Sequence, residues 1–166
     1  MSAAPKRVTL EGAAQQVAAW RGSGLSIALA NGVFDLLHVG HVRYLEGAKA
    51  MADRLVVAVN SDASTRATKG PTRPVIPQGE RAELLAALWC TDLVLVFDEL
   101  DVRRVIRALK PDVHVKGTDY TPDSIPERGE VEAYGGRVAV AGDPKDHSTT
   151  ELVSKLKPEG GGRDGD

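Results

Sequence analysis

Cysteine is nearly missing from this chain: Cys90 is the single one among 166 residues. One thiol excludes an internal disulfide and agrees with a reducing compartment. At the end of an apolar helical stretch it reads as a small core residue rather than a nucleophile. A surplus of either charge is missing too. Lys and Arg total 21 against 23 Asp and Glu, for a formal net charge of −2, so the whole-chain field offers nothing to nucleic acid or an anionic membrane. Any anion site must therefore be local. No apolar run approaches the roughly 18 residues that a membrane span needs. The opening residues carry Lys6 and Arg7 with no apolar stretch or small-residue cleavage site after them, which is not the pattern of a secretory signal. The expectation is a cytoplasmic protein without a nucleic-acid or membrane partner.

What is present is apolar and periodic. With 42% hydrophobic residues, the length suits one well-cored domain, expected over residues 1–157, with a glycine-rich, charged tail at 158–166 that should be disordered. Leu10, Ala13, Ala14, Val17 and Trp20 recur at helical spacing before Gly22 and Gly24, so residues 1–24 should supply a covering helix. Residues 25–30 form a short apolar run, as a strand buried on both faces would. Residues 39–52 return to helical period, and 55–59 are again continuously apolar. That is a βαβ unit. Residues 63–78 hold Pro71, Pro74 and Pro77 and read as a long ordered loop. The alternation then resumes: helix 80–89, strand 93–97, helix 102–109, strand 113–116, a second loop 118–128, a short helix 130–134, strand 138–141 and a closing helix 148–156. Five strands separated by helices predict an α/β fold, an open, five-stranded, mostly parallel sheet with helices on both faces.

The richest segment is Asn31-Gly32-Val33-Phe34-Asp35-Leu36-Leu37-His38-Val39-Gly40-His41. It runs from the carboxyl end of a buried strand into a helix start, where free N–H groups and the positive dipole end attract phosphate. Gly40 lets a nucleotide lie close to the backbone, while His38 and His41 supply imidazoles on the first turn. Either histidine alone could merely cap or pack. The two together around Gly40, after Asn31-Gly32 and Asp35, point to a nucleotide site. Zinc is disfavoured, because neither a cysteine nor a third ligand stands at a standard spacing.

The pattern Asn31-Gly32-x-Phe34-Asp35-x-x-His38-x-Gly40-His41 resembles the HxGH signature of the nucleotidylyltransferase superfamily, Rossmann-like enzymes that transfer a nucleotidyl group from a nucleoside triphosphate to a phosphate acceptor. The resemblance implies that His38 and His41 contact the triphosphate and stabilise charge as pyrophosphate leaves. It implies that Asn31, Gly32, Phe34 and Gly40 line the nucleotide site. Asp35 would hold the loop or contact the phosphates, directly or through a metal. From about residue 25 to 156 the chain is similar to D-glycero-β-D-manno-heptose 1-phosphate adenylyltransferases, through Val57-Ala58-Val59-Asn60-Ser61-Asp62, Lys69-Gly70 and Arg73-Pro74-Val75. By that likeness Lys69 reaches the phosphates and takes part in catalysis, and Arg81 faces the triphosphate. Read locally, Lys69 is a solvated loop lysine and Arg81 a surface partner of Glu80 or Glu83.

Val115-Lys116-Gly117-Thr118-Asp119-Tyr120 is similar to the Lys-Gly-x-Asp-Tyr segment of the same enzymes. A lysine at a buried strand end is costly unless it meets an anion or carboxylate, so Lys116, with Gly117, is the candidate for the acceptor phosphate. Asp119 would serve sugar hydroxyls or the loop. Ser148, Thr149 and Thr150 ahead of Glu151 make a capping-box start; the family uses such a Ser-Thr-Thr for the β- and γ-phosphates. Related cytidylyltransferases carry an arginine and a glycine before it, whereas this chain has Asp143-Pro144-Lys145-Asp146-His147. His147 reads as a loop residue and His114 as a packed core or edge histidine.

The resemblance therefore implies an adenylyltransferase that takes ATP, with Mg²⁺ bound through its phosphates and no protein metal site, and a heptose 1-phosphate supplied by a separate sugar kinase. It also implies a homo-oligomer, most simply a dimer. Two alternatives stay open: a glycerol 3-phosphate cytidylyltransferase or another small-molecule nucleotidylyltransferase, and a nucleotide-binding regulatory module without turnover.

Overall fold

A computed structural model describes residues 4–144 and 149–156, with the backbone alone at Ala4, Thr149 and Thr150. In chain order the elements are α1 (Leu10–Gly22), β1 (Ile27–Gly32), α2 (Val39–Lys49), β2 (Arg54–Asn60), α3 (Asp62–Lys69), α4 (Gln78–Ala87), β3 (Leu93–Phe97), α5 (Arg103–Leu109), β4 (Val113–Lys116), α6 (Arg128–Ala133), β5 (Arg137–Val140) and α7 (Thr149–Leu156). The strands lie in the order β3-β2-β1-β4-β5. All four pairings are parallel, which sharpens "mostly parallel" to wholly parallel. Among the described residues no helix is long and apolar enough to cross a membrane.

Strand alternation sorts the core into two layers. On β1, Ile27 and Leu29 face α1, α5 and α6, while Ala28 and Ala30 face α2 and α4. Each large aliphatic side chain removed from water contributes about 1.5–3 kcal/mol. The small residues matter differently, because they let α2 lie close to the sheet. A Cβ on Gly47 of α2 would meet the Ala141 Cβ at 2.9 Å. The apolar helix end holds Cys90, fully buried.

One predicted loop is corrected. Of residues 63–78, the first part belongs to α3, capped by Ser61 Oγ accepting from the Ser64 N–H at 3.2 Å and ended at Gly70 with φ +100°. All three prolines lie beyond it. The helix escapes a periodicity search because its buried residues are Ser64 and Thr65 rather than aliphatics.

Candidate active site

In a doubly wound sheet the ligand cleft opens where neighbouring strands send their chains to opposite faces. Here that point lies between β1, which feeds α2, and β4, which feeds α6. A cavity of about 440 Å³ opens there. Asn31 and Gly32 line it from the end of β1, Lys116 and Gly117 from the end of β4, and His38, Gly40 and His41 from the start of α2. Phe34, Asp35, Lys69 and Asp119 complete the predicted residues on its wall.

The two histidines build the helix start and the cavity wall at once. His38 Nδ1 accepts from the Gly40 N–H at 3.1 Å, and His41 Nδ1 accepts from the His38 N–H at 3.2 Å, a reciprocal cap. A ring nitrogen that accepts carries no proton, so each neutral imidazole is the Nε2–H tautomer. The rings stack with centroids 3.8 Å apart. Burial, and then the neighbouring His38, lower the His41 pKa to about 4. His41 is therefore a neutral donor at physiological pH.

Phe34 holds that arrangement from below. Its φ of +51° is rare for an aromatic residue. The turn brings the buried ring edge-on to His41 at 5.4 Å and parallel to Tyr44 at 6.4 Å. A Cβ on Gly32 would come within 3.2 Å of the same ring. Tyr44 in turn donates to the Val115 carbonyl at 2.5 Å, tying α2 to β4.

Asp35 is 2% exposed and uses both carboxylate oxygens on the loop that follows α3. It accepts from the N–H groups of Val75 and Ile76 at 2.9 Å and from Arg73 Nε at 2.7 Å. Burial alone would raise its pKa, but these donors outweigh it and hold the carboxyl below its usual range. Of the two roles left open for Asp35, the geometry gives it the loop. Arg73, only 15% exposed in its side chain, is thereby fixed on the cavity wall.

Arg81 stands apart from these residues. It was expected to face the triphosphate, yet its side chain is fully buried and outside the cavity lining. Its guanidinium donates to the carbonyls of Ile76 at 2.8 Å, Val33 at 2.6 Å and Asn60 at 2.8 Å, and to Asp62 at 2.8 Å. With those partners inward, the side chain is held away from the cleft and joins the ends of β1 and β2 to the segment before α4. The surface pairing with Glu80 or Glu83 is likewise not formed; Asp62 is the partner. Lys116 does reach the cavity. Its Nζ lies 3.3 Å from Asn31 Oδ1 and 5.0 Å from the Tyr120 ring centroid, and burial lowers its pKa, opposed by Glu127 and Asp101. Ser148 and His147 lie outside the described residues, as do the side chains of Thr149 and Thr150, which open α7.

Residues 29–155 match the protein-family description "Cytidylyltransferase-like". The chain belongs to that family. Within this cytidylyltransferase-like group, the bifunctional protein HldE of Acidiphilium cryptum (strain JF-5) is 49% identical over 152 residues, covering 92% of this chain and 31% of the relative. HldE of Geobacter metallireducens is 49% identical over 147 residues, covering 89% and 30%. The chain thus spans about a third of the length of these curated relatives. A solved structure described as the lipopolysaccharide core biosynthesis protein from Thermoplasma volcanium GSS1 superposes with a TM-score of 0.60 at 32% identity, over 70% of this chain and 94% of that one.

Several wall residues of this cytidylyltransferase-like site lie in segments that carry the resemblance but had no role assigned from the sequence. Arg73 follows Lys69-Gly70 closely in the chain, and its charge near that lysine was the available signal. Asn60 ends β2 at the same edge, where its Nδ2 donates to Ser64 Oγ at 2.7 Å. Thr118 donates to the Asp143 carbonyl at 2.6 Å, and Arg43 pairs with the Asp143 carboxylate. The first bond joins the loop after β4 to the one after β5, and the second ties α2 to the latter. Nothing local announces such a link, since its partners are distant in sequence. Among the described residues no group of three or more His, Cys, Asp or Glu could hold a metal ion.

Proposed function

We propose that the chain transfers the adenylyl group of ATP to a heptose 1-phosphate, giving ADP-heptose and pyrophosphate. A phosphate oxygen of the sugar attacks the α-phosphorus in line. The new P–O bond forms as the bond to the bridging oxygen breaks, and pyrophosphate departs with the electron pair. What carries the reading is the convergence of two imidazole Nε2–H donors and three cations, Lys69, Arg73 and Lys116, on one cavity at the switch point. The 49% identity to HldE proteins supports the choice of substrate class.

A sugar phosphate is already ionised near neutral pH, so the reaction asks for positioning and charge stabilisation rather than a general base. His38 and His41 donate to phosphate oxygens as charge builds in the transition state, each on the scale of 10²–10³ in rate, roughly 3–4 kcal/mol. In this reading Lys69 and Arg73 hold the triphosphate, Lys116 the acceptor phosphate and Asp119 the sugar hydroxyls. Ser148, Thr149 and Thr150 serve the β- and γ-phosphates at the α7 start. Magnesium enters as part of the Mg·ATP substrate, where it neutralises phosphate charge; Asp35, with both oxygens engaged, is not its ligand. A sugar kinase, on another chain or another part of the same one, supplies the acceptor.

The test is pyrophosphate release by the full chain with each nucleoside triphosphate and acceptor in turn. Turnover is expected with ATP and heptose 1-phosphate. Turnover with CTP and glycerol 3-phosphate alone overturns the assignment, and nucleotide binding without turnover on any acceptor favours a regulatory module.

A further inference from the structure

β4 carries two ionisable side chains on one face. His114 and Lys116 are two residues apart on the strand and so project to the same side of the sheet. His114 pairs in register with Leu29, part of the core beneath α1, α5 and α6. Its side chain is fully buried, and Nε2 stands 3.6 Å from an oxygen of Glu127, whose side chain is 5% exposed. That separation is too long for a hydrogen bond. Among the described residues, that Glu127 oxygen and both ring nitrogens of His114 make no hydrogen bond. A buried carboxylate with one oxygen unsatisfied is a poor way to stabilise a core, where an apolar pair of similar volume does as well or better. Its placement needs another reason.

The reason lies two residues along the strand. Lys116 turns from this layer into the cavity, where Asn31 and the Tyr120 ring orient its ammonium without neutralising it. We propose that Glu127, held against His114 on the face of β4 that also carries Lys116, is a positioning residue, a fixed counter-charge behind Lys116 that helps hold its side chain at the cavity so that the acceptor phosphate meets a preformed cation. This inference rests on the reading of Lys116 as the acceptor-phosphate group.

The electrostatics of both partners agree with it. Burial pushes Lys116 toward its neutral form, and the carboxylates that oppose this are Glu127 and, from the segment after β3, Asp101. Burial would raise the Glu127 pKa, yet the facing His114 and Lys116 bring it down to about 2. Of the other groups around Glu127, Arg103 at the start of α5 feels its charge and donates to the Pro126 carbonyl at 2.9 Å. The Tyr44 phenol of α2 also feels it, and burial raises that phenol's pKa further. Glu127 is thus the buried acidic member of a cluster that ends at the cavity, with Asp101 further out.

The experiment is an NMR titration of the Lys116 side-chain CH₂ next to its nitrogen, in the full chain and in Glu127→Gln. Removing the charge while keeping the shape is expected to lower the Lys116 pKa by about one unit or more, a tenfold loss of proton affinity. The KM for heptose 1-phosphate then rises at a lower pH than in the parent, while the KM for ATP stays put. Coupling is reciprocal, so in Lys116→Met the Glu127 carboxyl titrates higher by the same amount, a second route if Glu127→Gln does not fold. A Lys116 titration unmoved in Glu127→Gln, or a Glu127 titration unmoved in Lys116→Met, overturns the proposal. A moved titration with an unchanged KM for heptose 1-phosphate overturns the acceptor reading of Lys116 and leaves the pairing with Glu127 standing.

Discussion

The imidazoles of His38 and His41 stack 3.8 Å apart, and the backbone N–H of the first donates to Nδ1 of the second at 3.2 Å. One contact thus closes the first turn of α2 and selects which ring nitrogen carries the proton. Capping the helix and lining the cavity, separate readings of these residues in the sequence, are one geometry in the fold.

His38→Ala and His41→Ala are each expected to lower kcat by roughly 10²-fold or more, the scale of one lost transition-state donor. His38→Ala also removes the acceptor for the Gly40 N–H, costing about 1 kcal/mol of stability. Steady-state pyrophosphate release read alongside thermal melting separates the two effects. Intact activity in both variants would remove the histidines from the mechanism.

The His41 pKa near 4 predicts a sign for acid stability. Its unfolded value is near 6.5, so below that pH the unfolded chain takes up a proton that the folded chain resists. Stability from this group is complete above about pH 6.5 and is lost as pH falls toward 4, with about 3 kcal/mol as the upper bound. Histidine-detected NMR should find the His41 ring as the Nε2–H tautomer down to about pH 5. A ring that titrates near 6.5 in the free protein contradicts the burial on which this rests.

Arg81 should behave as a structural residue. Arg81→Met leaves three carbonyls and Asp62 without their shared donor, and breaking such a buried cluster costs about 3 kcal/mol or more. Melting should fall by about 6–12 °C. Arg73→Met, by contrast, is expected to raise the KM for ATP and to lower melting less than Arg81→Met, because Asp35 keeps the N–H groups of Val75 and Ile76. If the two variants exchanged these phenotypes, Arg81 would be the phosphate ligand after all.

Gly47→Ala tests the close approach of α2 to the end of β5. The added methyl would sit 2.9 Å from the Ala141 Cβ, an overpacking worth about 1–3 kcal/mol that outweighs the roughly 1 kcal/mol of helix propensity gained. Because α2 also carries His38 and His41, kcat should drop together with melting temperature. A variant that melts higher than the parent would mean that α2 has room to spare.

Much of the fold was legible because its signals are local. The strand containing Leu29 and Ala30, the turn through His38, Gly40 and His41, and the apolar strand at Val113 and Val115 each announce themselves within a few residues. α3 did not. Its buried face is Ser64 and Thr65, held by the Ser61 hydroxyl and carbonyl, so no apolar period marks it. Arg81 was misread for a related reason: the sequence shows Glu80 and Glu83 beside it, while its actual partners are Val33, Asn60, Asp62 and Ile76.

By themselves, the residues in order settled the five-stranded α/β class, the strand-to-helix turn at His38 to His41 and the family to which the turn points. Those properties depend on periodicity and on spacings of a few residues, which are the same in the chain as in the fold. Only tertiary structure decided that Asp35 serves the loop through Arg73, that Arg81 faces inward, and that Glu127 and His114 lie behind Lys116. Charges separated by tens of residues acquire partners only when the sheet brings their strand ends together, and at such distances burial and geometry, not residue type, choose the role.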